Sequence, residues 1–214
     1  MSPILINALS TLSAAFLGAL AAFLLQDWRN KRKEEDKKRI AVNRAIFDLS
    51  ELWNALEQYR KEIIEPIRNT NAPWLNMQAN ISTQFLSISF NIDELFFLAD
   101  TENAQLLQKL YMEEHRYCIT IDLIEERSNL VLNRLQPKME SLGYTKDGEV
   151  KLGELEKQLG PDLTYKIKSL TDAIIKFVDE NVASMENLNT EFTSEMKKLF
   201  KDKKILEVQY VKET

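Results

Sequence analysis

Hydrophobic and polar positions along the chain fall into a small number of long patterns. From Pro3 to Leu25 there are 23 residues without a charged side chain. As a helix this run is about 34 Å long, enough to cross a hydrocarbon core of about 30 Å. Between Arg29 and Arg39 the chain then carries seven of its 28 basic residues, with Glu34, Glu35 and Asp36 interleaved. No Lys or Arg precedes the apolar run, which excludes the charge order of a signal peptide despite the small residues Ala19-Leu20-Ala21. The pattern predicts a transmembrane anchor over 1–28 and a charged juxtamembrane segment over 29–39. A cytoplasmic helical bundle is expected over 40–214. The positive-inside rule places the N-terminus outside and the bulk of the chain in the cytoplasm, in an inner (cytoplasmic) membrane.

The apolar run has two faces. Ser10, Ala14, Gly18 and Ala22 recur every four residues, with Asn7, Thr11 and Ala15 beside them, while Leu9, Leu12, Phe16, Leu20 and Phe23 fall largely on the other side. Small residues let helix backbones approach closely, and Asn, Ser and Thr can hydrogen-bond between helices, so this face is expected to mediate transmembrane self-association. Trp28, Arg29, Lys31, Arg32 and Lys33 form the expected membrane interface. The basic residues there serve as topogenic charges, and the interleaved acids weaken a reading as an anionic-lipid site.

Three longer periodic stretches follow. Val42, Ala45, Leu49, Leu52, Leu56, Tyr59 and Ile63 alternate spacings of three and four, widened by Ile46 and Trp53. They predict a helix from about Lys31 to Ile64, ending before Pro66, whose Leu49, Leu52, Trp53, Leu56, Tyr59 and Ile63 form a bundle or subunit interface. No helix breaker separates Leu25 from Ile40, so anchor and helix are expected to form one rod of about 90 Å. Thr101 is expected to cap a second long helix from Glu102 to about Leu135, stopped by Pro137. Pro161 opens a third, with Leu163, Ile167, Leu170, Ile174, Phe177, Met185, Leu188, Phe192, Met196 and Leu199 on its buried face. Shorter pieces are a helix from Asn91 as N-cap through Leu98, a turn at Asp147-Gly148 and a helix between Lys151 and Leu159. Residues 80–90 alternate as in a strand but fit a helix or extended loop equally, and the tail over 204–212 alternates likewise. The fold class is all-α: an N-terminal transmembrane helix, an elongated antiparallel bundle of three long helices with shorter ones, and at most a minor short β element.

Composition narrows the function. Five glycines and five prolines among 214 residues suit long helices. The segment after Arg39 holds 21 basic against 29 acidic side chains, so no nucleic-acid partner is expected on its surface. One cysteine, Cys118, fits a reducing compartment.

No reaction chemistry stands out. His115 is the only histidine, and Glu113, Glu114 and Asp122 lack the convergent spacing of a metal site, so no metal is expected. Helical-bundle ribonucleases of the HEPN family place an Arg a few residues ahead of a catalytic His. The corresponding positions are Gln108, Lys109 and Leu110, so that motif is absent. Cys118 lies one turn beyond His115, but neighbours on one helix face offer no oxyanion donors, and core packing of Cys118 is the expectation. "GYTKDGEV" has the glycines of a phosphate loop but Glu149 and Val150 where Lys and Ser or Thr are required. No catalytic residue, cofactor or metal is therefore assigned.

Two functions fit. In the first, the chain is a non-enzymatic single-pass protein that self-associates in the lipid bilayer into a homo-oligomer, a pore-forming assembly of the kind bacteria use in antiviral defence. The layout is similar to that of the membrane-anchored helical accessory proteins of RNA-targeting CRISPR systems, with no shared motif to make the likeness specific. In the alternative, the chain is a membrane-tethered adaptor whose bundle docks a cytosolic protein partner.

Overall fold

The computed structural model describes residues 3–79, 89–144, 151–201 and 204–208, without the side chains of residues 3–11, 13 and 14. α1 (Pro3–Tyr59) is one uninterrupted helix, about 85 Å long at 1.5 Å per residue. It ends in a π turn, Arg60–Ile64, followed by α2 (Pro73–Asn76) and α3 (Ile92–Leu95), the latter running into a 3₁₀ turn, Phe96–Leu98. α4 (Ala104–Leu130) passes through a second π turn, Val131–Leu135, into α5 (Gln136–Ser141). α6 (Leu152–Leu159) and α7 (Pro161–Phe200) complete the chain. Among the described residues there is no strand. Residues 205–208 are irregular, while 80–88 and 209–212 lie outside the described residues, as does the expected turn at Asp147-Gly148.

The expected bundle of long helices is present, with a different order of directions. α7 is antiparallel to both other long helices. Arg68, just beyond α1, makes a bidentate pair with Asp179 at 2.9 Å, and Asn43 near the bundle entrance of α1 bonds the chain at Lys204 and Leu206, past the end of α7. Along α4, Lys109 meets Glu191 at 2.7 Å and Glu126 meets Lys166 at 2.9 Å. α1 and α4 therefore run parallel, so the chain returns to the bundle entrance before α4 begins. A hairpin would have made α1 and α4 antiparallel neighbours. The long return segment, pinned by Arg44 to Glu94 at 3.7 Å, decides otherwise.

One expected helix stop and one expected start also differ, while the helical segment before Pro66 ends at Ile64 as expected. Pro137 lies inside the first turn of α5, because the π turn before it bonds Gln136 N–H to Val131 C=O. Widening the ladder moves the preceding carbonyls out of the path of the proline ring, so the helix continues where a regular one would break. The same device precedes Pro66, where Glu65 N–H bonds Arg60 C=O at 2.9 Å. At the other end, α4 starts at Ala104 rather than Glu102. The Thr101 hydroxyl still accepts from Asn103 N–H at 3.1 Å. Asn91 gives no side-chain cap to the backbone; its amide donates to Glu94 at 2.8 Å. Gly160, at φ +91° and ψ 152°, turns the chain from α6 into α7 in a single residue, a conformation only glycine adopts readily.

The interior divides into two apolar clusters. The larger joins α1 from Ala41 to Ile64 with α3, the first part of α4 and the second half of α7. The smaller joins Trp74, Leu130, Val131 and Leu135 with Leu155, Leu159, Leu163, Ile167 and Leu170. On α7 the expected stripe drifts: Phe177 is half-buried and Leu199 exposed, with Val178, Val182 and Phe200 buried instead. Long strict spacing of three and four departs from the 3.6-residue turn, and the buried face follows the turn.

Arg127 sits where the clusters meet and is only 1% exposed. Its Nε donates to Thr171 Oγ1 at 2.8 Å, Nη2 donates to the carbonyls of Met77 and Trp74 at 2.8 and 3.0 Å, and Nη1 reaches the Gln78 carbonyl at 3.4 Å. One guanidinium thus ties α4, α7 and the α2 loop together. Burial pulls its pKa down to about 10 and pushes the Tyr59 and Tyr117 hydroxyls up to about 12.

Arg127→Ala leaves at least two buried carbonyls without donors, at about 1–3 kcal/mol each. A loss of about 3 kcal/mol or more is expected in urea unfolding, with Arg127→Lys recovering less than half, since one ammonium cannot span the same acceptors. In alkali the tyrosines and the arginine act in opposite directions. The folded state holds the two tyrosine protons that the unfolded chain releases near pH 10, so stability is lost from pH 10 to 12. Arg127 opposes this, because the unfolded chain binds its proton more tightly over pH 10 to 12.5. A pH titration of tyrosinate absorbance should show Tyr59 and Tyr117 ionising late, with a net loss of stability between pH 10 and 12.

Candidate membrane and assembly interface

The bundle covers α1 only from Ala41 onward. From Ala15 to Ile40 no residue of this helix is buried. Phe16 is 68% exposed, Phe23 69% and Trp28 55%, and Leu12, Leu17, Leu20, Leu24 and Leu25 are exposed as well. Apolar side chains at this density are not left to water by a stable fold unless another apolar phase covers them. The reason is local. Charge-free helix formers keep α1 helical, yet none of the other described elements reaches far enough along the rod to pack on it.

Among the described residues, no helix is long and apolar enough to cross a membrane. The expected span begins at Pro3, and the side chains of residues 3–11, 13 and 14 lie outside the described residues. The stretch described side chain by side chain, Ala15 to Leu25, is about 17 Å long, roughly half a hydrocarbon core. Of the small face expected to self-associate, Ala15, Gly18 and Ala22 are described and exposed, while the side chains of Asn7, Ser10, Thr11 and Ala14 lie outside the described residues. A methyl group added at Gly18 would meet nothing within 4 Å, so the glycine meets no packing need among the described residues. Trp28, Arg29, Lys31, Arg32 and Lys33 are all exposed. The Arg32 guanidinium lies 5.4 Å from the Trp28 ring centre, and Lys31 pairs with Asp27 at 2.8 Å.

By contrast, Leu49, Leu52, Trp53, Leu56 and Tyr59 lie in the larger apolar cluster of the chain itself, with Ile63 half-buried against it. They pack into the chain's own core, with α7 as the main neighbour of α1, so the subunit half of that expectation has no free surface to use.

Elsewhere the polar interior is structural in its geometry. Glu113, buried between α4 and α7, accepts from Arg116 Nη1 at 2.8 Å and from the Ser184 hydroxyl on its Oε1. Its Oε2 is buried and has no hydrogen-bond partner among the described residues. One turn along, Asn181 donates to Thr120 Oγ1 at 2.7 Å and to the Arg116 carbonyl at 3.2 Å. These bonds fix the α4–α7 register, and no spacing in the sequence signals them. No group of three His, Cys, Asp or Glu residues able to hold a metal occurs among the described residues. His115 is exposed. Cys118 is also exposed rather than part of the core, because Leu110, Tyr117, Ile121 and Ile124 set the buried line of α4 and the next residue turns about 100° away from it.

Partial burial, together with Glu114 and Asp122, raises the Cys118 thiol above its ordinary value. It is therefore a thiol at neutral pH and a poor nucleophile. Alkylation by iodoacetamide should run several-fold slower in the native protein than in urea at pH 8, with its pH midpoint shifted upward. No protein-family model, no characterised protein and no solved structure matches the chain.

Proposed function

We propose that this chain is a non-enzymatic, single-pass membrane protein that self-associates through its transmembrane helix. The observation that carries the reading is the uncovered apolar half of α1, exposed from Ala15 to Leu25. It continues in sequence an uncharged run from Pro3 and ends at a tryptophan and a cluster of basic residues. A bilayer supplies the apolar phase that the fold does not, and the seven basic residues after the run hold the bundle on the cytoplasmic side. Gly18 offers a close-approach surface, and a packing partner in the membrane gives a mid-helix glycine its use. The bundle rises from the membrane on the same unbroken helix, so anchor and bundle move as one body. Pore formation is the consequence of this reading if the assembly closes into a ring.

A tethered adaptor is the second reading, favoured by the acid excess after Arg39, which suits a basic cytosolic partner.

The full-length protein should float with liposomes and stay bound in high salt and at alkaline pH, as integral proteins do. Extracted in detergent, it should form an oligomer by mass photometry. Gly18→Leu should leave membrane insertion and bundle unfolding unchanged, since no described residue touches that position, yet dissociate the oligomer. A chain that remains in the aqueous fraction overturns the anchor. A monomer in detergent, indifferent to Gly18→Leu, overturns self-association and favours the adaptor.

A further inference from the structure

The basic and acidic residues that interleave in sequence after the apolar run separate on the helix. At about 100° per residue, Arg32, Arg29 and Lys33 fall within one sector of α1 about 100° wide. Asp27, the acid of those turns, lies on the opposite side and is paired with Lys31 at 2.8 Å. Glu34 and Glu35 fall outside the sector and further along the helix. Asp36 falls within it, one turn beyond Arg32, but is paired with Arg39 at 2.9 Å, on the side away from the apolar run. Arg29 and Lys33 have no ion-pair or hydrogen-bond partner among the described residues. The Arg32 guanidinium lies 5.4 Å from the Trp28 ring centre.

Height along the rod sorts these charges further. Helix side chains lean toward the N-terminus, which in α1 is the direction of the apolar run. Trp28 stands about 4.5 Å beyond Leu25, and the headgroup layer beside a hydrocarbon core is about 5–8 Å deep. The Arg32 guanidinium is drawn back over the Trp28 ring, so its charge reaches that layer although its backbone stands about 10 Å from Leu25. Arg29 starts within the layer, and the long stem of Lys33 leans toward it. Glu34, Glu35 and Asp36 begin about 13–17 Å beyond Leu25, and their shorter side chains end above the layer.

We propose that Arg29, Arg32 and Lys33, backed by Trp28, bind the phosphate of anionic phospholipid headgroups in the cytoplasmic leaflet. The proposal rests on the membrane-anchored reading and goes beyond it in naming the lipid class and the residues that select it. Three cations on one side of a helix suit a phosphate, and a zwitterionic headgroup brings a cation of its own that the sector repels. A free phosphate has the same chemistry. The sector is exposed on a convex helix surface, with no other described element beside it to hold a free ion, whereas a bilayer presents phosphates at a fixed height.

The test uses the full-length protein in phosphatidylcholine vesicles and reads tryptophan fluorescence, because Trp53 and Trp74 are buried in the bundle and Trp28 is 55% exposed. At equal low mole fraction, brominated phosphatidylglycerol should quench Trp28 several-fold more than brominated phosphatidylcholine, and about 1 M salt should shrink that preference. Each basic residue near an anionic surface is worth about fivefold, so Arg29→Gln with Arg32→Gln and Lys33→Gln should remove it. Lys31, Lys37, Lys38 and Arg39 keep the flank basic in that variant, so its orientation is retained. Lys31→Gln, on the opposite side, should leave most of the preference in place. Equal quenching by the two lipids, or a loss in Lys31→Gln as large as in the triple variant, overturns the site and leaves the anchor standing. A preference abolished by sodium phosphate, but not by sodium chloride of the same ionic strength, makes this a site for free phosphate and overturns the lipid assignment. A chain that neither lipid quenches and that stays in the aqueous fraction overturns the anchor itself.

Discussion

The described part of the bundle depends on a buried positive charge that is met by neutral oxygens. Arg127 spends its guanidinium on one hydroxyl and on backbone carbonyls from the α2 loop, and no carboxylate appears among those hydrogen-bond acceptors. Several dipoles compensate the charge, at the cost of fixing each of them in place. That requirement explains why the loop after α1 is held where it is. Moving it would strip the guanidinium of two short hydrogen bonds in a site with almost no access to water. The arginine also separates the two apolar clusters, so each can pack independently while the polar joint sets their register. A hydrophobic residue of similar volume could fuse the clusters, but it would leave the loop carbonyls without donors.

α7 is the common wall of this arrangement. It contacts α4 through the Glu113–Ser184 and Thr120–Asn181 bonds and through the Arg127–Thr171 bond. It contacts α1 through apolar packing and the Arg68–Asp179 pair. Polar bonds buried along one seam and apolar contact along the other give the two interfaces different specificity. A buried hydrogen bond tolerates little axial displacement, whereas apolar side chains accept a shift of a turn more readily. The tail adds a further tie at the bundle entrance, where the Asn43 side chain bonds the backbone at Lys204 and Leu206 much as a neighbouring strand would.

The projecting half of α1 stands apart from these constraints. Its helix is maintained by composition and by continuity with the packed half, so it keeps its azimuth without tertiary contacts. A rigid link of this kind transmits orientation: whatever fixes the rotation of the apolar half also fixes which face of the bundle looks toward a neighbour. The proposed function follows from that stiffness.

Helical class, the long rod and the buried line from Val42 to Tyr59 were legible from spacing alone, because an amphipathic helix writes its period directly into the order of residues. The uncharged run and the basic cluster after it were equally local, and so was the expectation of an anchor. The direction of the helices was not legible, since loop composition says little about whether a connection turns back at once or runs the length of a bundle. Pro137 was misread as a stop because a π turn is a property of the helix path rather than of the proline. Cys118 was misplaced by one position on the helix wheel, which is enough to move it from core to solvent. Nothing in the spacing of Arg127, Glu113 and Asn181 marks them as buried, because a polar side chain is buried only where distant partners meet it. Only the tertiary structure could bring together the carbonyls and hydroxyls that make their burial tolerable, and those partners lie up to 71 residues away in the chain. Sequence by itself determined which residues can line a helix face; the meeting of distant backbone and side-chain groups decided which of those faces were closed and which was left uncovered.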